Sequence, residues 1–173
     1  MVGRNKIQRI VYLGLLIGAK VILTRFFSIT TPIARIGIGF LPIAIGGILF
    51  GPIYAGFAAV IGDLLGSMLF PSGPFFPGFT LSAFISGLVY GCFFYKRKRS
   101  FWRVVCVTLI EKLLVSLLLN TYWLYLLTGK GFLILLPTRI MNSVGTIPVM
   151  FLLIWFVAYP ICDRIKAREV YQS

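Results

Sequence analysis

The sequence predicts an all-α integral membrane protein: a single domain, residues 1–173, of six transmembrane helices with both termini on the cytoplasmic side. Three observations carry this. The chain is 59% hydrophobic and only 12% charged, with a mean hydropathy of +0.97, too apolar for a soluble domain. Runs such as residues 104–127 and 137–162 are long enough to cross about 30 Å of hydrocarbon as helices at about 1.5 Å per residue. Finally, the net charge of +13 is concentrated at the ends of these runs, where topology and anionic headgroups account for it better than a nucleic acid partner does.

The elements follow from Gly, Pro and charge punctuation. The first apolar segment, 8–27, follows the basic residues Arg4, Lys6 and Arg9. It has no small-x-small cleavage site after it and is read as a retained helix. It ends before Ser28-Ile29-Thr30-Thr31-Pro32. The second, 36–50, is short and glycine-rich, with Pro42 inside it, and Gly51-Pro52 turns the chain into the third, 53–70. Residues 71–78 (PSGPFFPG) form a loop, because three prolines remove donors and restrict their predecessors. The fourth segment is 79–95, the fifth 104–127 and the sixth 137–162.

Orientation comes from charge. Lys96-Arg97-Lys98-Arg99 with Arg103 is the densest basic cluster and belongs in the cytoplasm. Six crossings then bring both ends to that side, and both are basic: Arg4, Lys6, Arg9 and Arg164, Lys166, Arg168. The same topology leaves Arg25, Arg35, Lys130 and Arg139 near the outer face, against the positive-inside pattern. Each one alone can snorkel to outer headgroups. Together they face a single carboxylate in the outer half, Asp63, and an anionic ligand taken from outside explains them better.

Several polar residues interrupt apolar helices. Asp63 sits mid-helix, where an unpaired carboxylate is costly, so it pairs, takes a proton or faces an aqueous cavity. Lys20 is one partner; the donors of a ligand are another. Asn120 and Thr121, beside Tyr122 and Trp123, make a polar-aromatic patch. The aromatics suit an interfacial belt, whereas a buried amide needs partners. Arg139 and Asn142 share one face of the sixth helix. Glu111 falls on the cytoplasmic half and suits helix packing. Small residues recur every four positions: Gly14 and Gly18; Ala58, Gly62 and Gly66; Ala83, Gly87 and Gly91. Such rows let helices approach closely. The second and third rows suit packing within the bundle, and the first suits docking to another membrane protein.

The sequence argues against several classes of activity. No phosphate-cradling GxxxxGK[ST] loop occurs, no carboxylate pair has catalytic spacing, and the chain has no histidine. Cys92, Cys106 and Cys162 are an odd number without metal-ligand or disulfide spacing. The expectation is a non-enzymatic membrane protein without metal or cofactor, one that binds a ligand and borrows its energy source.

The run 35–52 (RIGIGFLPIAIGGILFGP), followed by Gly56 and Gly62-Asp63, resembles the S components of energy-coupling factor (ECF) vitamin transporters. Asn120-Thr121-Tyr122-Trp123 and Arg139 with Asn142 make it most similar to the folate-specific branch. The resemblance covers essentially the whole chain and implies a six-helix bundle in a bacterial cell membrane that captures vitamin at the extracellular face. It also implies partners: a transmembrane coupling protein (the T component) and two cytoplasmic ATPases, with the S component toppling in the membrane to deliver its cargo. Family members dock through an Ala-x-x-x-Ala row on helix one; the matching positions here are Gly14 and Gly18. On this reading the folate tail carboxylates meet Arg25, Arg35, Lys130 and Arg139. Phe75, Phe76, Tyr122 and Trp123 wall the rings, and Asp63, Asn120 and Asn142 take polar edges. Another vitamin (pantothenate or a flavin) and a scaffold of a cell-envelope complex remain the alternatives.

Overall fold

The computed structural model describes residues 6–30, 35–71, 75–129 and 132–171, with backbone alone at residues 6, 28–30, 35–36, 128, 132–135, 138, 166 and 168–171. Helix α1 spans Lys6–Arg25. A small antiparallel pair follows, β1 Ser28–Thr30 and β2 Arg35–Gly37, with Thr30 opposite Arg35. Then come α2 Phe40–Phe50, α3 Pro52–Leu69 and α4 Pro77–Phe94. The fifth crossing is continuous but changes pitch: α5 Phe101–Ile110, a π-helical stretch Glu111–Leu119, and α6 Asn120–Thr128. The sixth does the same: α7 Phe132–Leu153, a π-helical stretch Ile154–Ala158, and α8 Tyr159–Tyr171.

The predicted six-helix bundle is present, with corrections to its boundaries: Pro77 and Gly78, expected in the loop, begin α4, and the fifth crossing starts at Phe101 rather than at residue 104. Residues 36 and 37 belong to β2 and not to the second helix, so α2 is left with 11 residues, about 16 Å. It is too short to cross alone; the other five segments are long and apolar enough to do so. The sixth helix begins at Phe132, with Pro137 inside its first turns rather than at its start.

The two ends of the bundle are chemically different. The turn at Gly51 (φ +95°, a region that favours glycine) packs on the Tyr95 ring, and Pro52 lies against Gly91. That turn therefore sits at the end of α4 that runs into the basic block, the cytoplasmic end. The core fills this half: Ile43–Phe50 of α2, Tyr90 and Phe94 of α4, Val104 and Val107 of α5, and Ile154, Ala158, Tyr159 and Cys162 beyond α7. The opposite half holds the polar interior, with Lys20, Ser82 and Thr121 all buried. The interior is thus apolar toward the end that carries the basic block and polar toward the other. Large apolar side chains cover the exterior of the bundle, among them Leu15, Phe57, Ile61, Leu113 and Leu118, as expected for a surface solvated by lipid.

Helix packing follows the small-residue rows. A Cβ on Gly87 would lie 2.5 Å from the Ala55 carbonyl oxygen and the Gly56 backbone, and one on Gly91 would overlap Pro52. These glycines set the close α3–α4 approach. Gly62 makes room for the Lys20 side chain and Gly66 lies against the Arg25 guanidinium, so the α3 row is the surface against which Lys20 and Arg25 of α1 lie. Gly14 and Gly18 have nothing within 4 Å of their Cβ positions. The α1 row is therefore open, unlike the other two.

Candidate functional site

The outer chamber is organised by the first turns of α4. Pro77 starts that helix, and Gly78, Thr80 and Ser82 follow within its first two turns. Thr80 Oγ1 donates to Asp63 Oδ2 at 3.0 Å, which fixes the carboxylate of α3. Ser82 Oγ accepts from Trp123 Nε1 at 3.0 Å, which fixes the indole of α6. Gly78 lies under Trp123 and Phe76, and a Cβ there would overlap the indole. The Phe76 and Trp123 rings stand 5.7 Å apart, tilted by 44°, and Phe79 closes edge-on against Phe76 at 6.2 Å. An acceptor and an aromatic wall thus share one support.

Cations border the carboxylate. Lys20 is buried, and its ammonium donates to the Ala59 carbonyl, one turn before Asp63 on α3. It lies within electrostatic reach of both Asp63 and Arg25. The expected Lys20–Asp63 relationship is therefore one of charge neighbours whose hydrogen bonds go elsewhere, to Ala59 and Thr80. Asp63 itself is half-buried, with its other oxygen available to a bound group. On the far wall, Arg139 is half-buried on α7, within electrostatic reach of Lys112. Asn142 is half-buried too, and its Oδ1 accepts from Thr146 at 3.1 Å.

The predicted residues separate into groups. Asp63, Trp123 and Phe76 are drawn together around α4, with Arg25 along the α1–α3 seam. Asn120 Oδ1 is buried without a protein partner, as is Thr121 Oγ1 beside it. A buried carbonyl oxygen left so is costly unless a ligand or water completes it. Tyr122 is 47% exposed and Phe75 54%; Tyr122 touches the site only through the edge of Trp123, 5.2 Å between centroids. Both suit the rim or the lipid interface better than the wall. The backbone of Arg35 lies in β2, which packs against α7, the helix that carries Arg139; its side chain is outside the described residues, as is the whole of Lys130.

Sequence reasoning missed Thr80, Ser82 and Gly78. Hydroxyl residues in membrane helices often satisfy themselves on a carbonyl one turn back, as Thr108 does on Val104, so they give little signal. The available signal was the pair of hydroxyls in Phe79-Thr80-Leu81-Ser82 directly after an aromatic, proline-rich loop. Glu111, expected to serve packing, does so: its Oε1 accepts from Ser86 of α4 at 2.9 Å, tying the π-helical stretch to that helix.

The geometry brings a fixed acceptor, an aromatic wall and cations toward one end of the bundle, with the apolar core at the other. Comparison with known proteins agrees. A family profile described as "ECF-type riboflavin transporter, S component" matches residues 4–159. A folate transporter FolT of Clostridium novyi (strain NT) is 43% identical over 162 residues, covering 94% of each chain. A second folate transporter FolT, of Leuconostoc mesenteroides, is 26% identical, covering 87% of this chain and 84% of its own. A crystal structure of FolT bound with folic acid superposes with a TM-score of 0.81 at 33% identity, over 87% of this chain and 92% of that one. A bacterial ECF transporter S component at 22% identity, TM-score 0.63, over 91% and 99%, shares the fold.

Proposed function

Since the chain belongs to the family of ECF transporter S components, we propose that it is the folate-capturing subunit of such an importer in a bacterial cell membrane. The observation that carries this is the match to a folate transporter along 94% of both chains, joined to a likeness to a FolT structure holding folic acid. The profile is described by a flavin vitamin, and both vitamins offer a flat heteroaromatic ring. Only folate ends in two carboxylates, and a chamber rich in Arg and Lys suits that tail better than a neutral one.

In this reading the pterin lies against Trp123 and Phe76, with its N–H edge on Asp63 and on the unfilled Asn120 oxygen. The glutamate end meets Arg25, Arg35, Lys130 and Arg139, assisted by Asn142, with Phe75 and Tyr122 at the rim. Folate is cargo; the chain itself uses no cofactor and hydrolyses nothing. Energy comes from the T component and two ATPases, and delivery inward occurs by reorientation of the whole bundle in the membrane.

Removing the Trp123 support without touching the cargo is informative. Ser82→Ala is expected to weaken folate binding about threefold to tenfold, the worth of one hydrogen bond. The indole emission should also change, and both are read by fluorescence titration in a Trp102→Phe, Trp155→Phe background. Docking is separable from binding. Gly14→Leu with Gly18→Leu fills the open α1 row, so folate binding by the isolated subunit should stay within about twofold. Co-purification with the T component and uptake into vesicles should be lost. If uptake survives, that row is a lipid-facing surface and the docking role is refuted.

Uptake of labelled folate by cells making this subunit with its coupling module tests the proposal as a whole. Uptake must depend on the subunit, and unlabelled folate must compete where pantothenate and riboflavin do not. A membrane scaffold would give none.

A further inference from the structure

The cytoplasmic cluster of Lys96, Arg97, Lys98, Arg99 and Arg103 does two different jobs. Arg99 is turned back onto the bundle: its guanidinium lies 3.8 Å from the Trp155 ring centroid and 5.4 Å from that of Tyr159. Its Nη2 also donates to the Trp155 carbonyl at 2.8 Å, inside the π-helical stretch Ile154–Ala158. Arg103 is bonded to the Lys98 carbonyl across the same turn. These two cations are engaged within the molecule, and they brace the turn. Lys96, Arg97 and Lys98 are all exposed on the braced turn, with the Lys96 ammonium 5.3 Å from the centroid of the adjacent Tyr95 ring.

Two further features show that this turn is built around its charges. Lys96 has φ +52°, the sole positive value at a non-glycine among the described residues. Glycine or asparagine would hold that conformation at less cost, so what lysine adds there is its ammonium. The first residues of the next helix, Phe101 and Trp102, are 53% and 74% exposed. Exposed aromatics directly after a cation row mark the level of the headgroups. Three cations held at that depth by an intramolecular brace match an anionic phosphate better than an aqueous tail would.

We propose that the α4–α5 turn is a seat for the headgroup of an anionic phospholipid of the inner leaflet, with Lys96, Arg97 and Lys98 as its ligands and Arg99 as the strut that holds them in place. The seat lies at the opposite end of α4 from Thr80 and Ser82, so it acts independently of cargo binding.

The test uses the whole purified subunit in detergent, titrated with phosphatidylglycerol or phosphatidylcholine while thermal stability is followed. Phosphatidylglycerol is expected to raise the melting temperature saturably, and phosphatidylcholine to do so little. Lys96→Asn with Arg97→Gln and Lys98→Gln should raise the half-saturating phosphatidylglycerol concentration at least about tenfold, with folate affinity unchanged. Arg99→Gln should lower the melting temperature in either lipid. An equal phosphatidylglycerol response in the triple variant and the parent overturns the seat. So does an equal response to inorganic phosphate at matched ionic strength. So does a triple variant that keeps the lipid response but no longer co-purifies with its coupling protein, which would make the turn a protein interface.

Discussion

Asp63→Asn is expected to weaken folate binding by about 10- to 100-fold, the value of a hydrogen bond to a charged acceptor. The substitution changes almost no volume, and the amide oxygen can still accept from Thr80, so the α3–α4 link at 3.0 Å survives. What changes is the face offered to the cargo: an N–H group replaces an oxygen and meets the N–H edge of the pterin. It also leaves the Lys20 ammonium, deep in the α1–α3 seam, without its neighbouring countercharge. The loss should therefore appear in affinity and, through the uncompensated buried ammonium, in melting temperature as well; titration of the purified variant alongside a thermal melt separates the two. Thr80→Val is the complementary case, leaving the charge but freeing its orientation, and a smaller loss is expected.

The second large effect concerns folding. Gly91→Ala places a methyl group where Pro52 stands, at the α3–α4 contact beside the Gly51 turn. Relief there requires α3 to move off α4, against the Gly51 turn at φ +95° on which Tyr95 packs. Overpacking of this kind costs about 1–3 kcal/mol in cores, roughly 3–10 °C in melting temperature for a chain of this size. Displacement of α3 should also carry Asp63 away from Thr80, so the surviving folded protein should bind folate less well. Gly145→Ala is the control, because nothing lies within 4 Å of its Cβ position, and it should be neutral. Equal melting temperatures for the two variants would remove the packing role assigned to the α4 row.

Much of this arrangement was legible in the sequence because bilayers enforce simple rules. Apolar run lengths located the crossings, and five of them are helices long and apolar enough to span; the basic block Lys96–Arg99 supplies the expected direction. Four-residue spacing also marked the close helix pairs, and it separated the open α1 row from the buried ones only by the character of its neighbours. The β1–β2 pair was not legible. Ser28–Thr30 and Arg35–Gly37 are three-residue strands with no alternation long enough to register, and the apolar Ile36 reads as the start of the next helix. The π-helical stretches are invisible for a related reason: residues 111–119 are helical by every pattern, and only the hydrogen-bond step differs.

The site was legible by charge and aromaticity but not by support. Asp63, Trp123 and Asn120 stand out in apolar surroundings because each demands a partner. Thr80 and Ser82 demand none, since a hydroxyl in a helix has a carbonyl to hand, yet they decide where Asp63 and Trp123 point. Exposure could not be read either. Tyr122 and Trp123 are neighbours of similar character, but the helix turns the first outward and the second onto Ser82.

The most direct measurement is an equilibrium titration of the purified subunit, reconstituted in lipid nanodiscs, with folic acid and with riboflavin in competition. One folate per chain is expected, quenching Trp123, with excess riboflavin displacing none and Asp63→Asn weakening the curve as above. Saturable riboflavin binding with no response to folate would contradict the assignment of this chamber to folate.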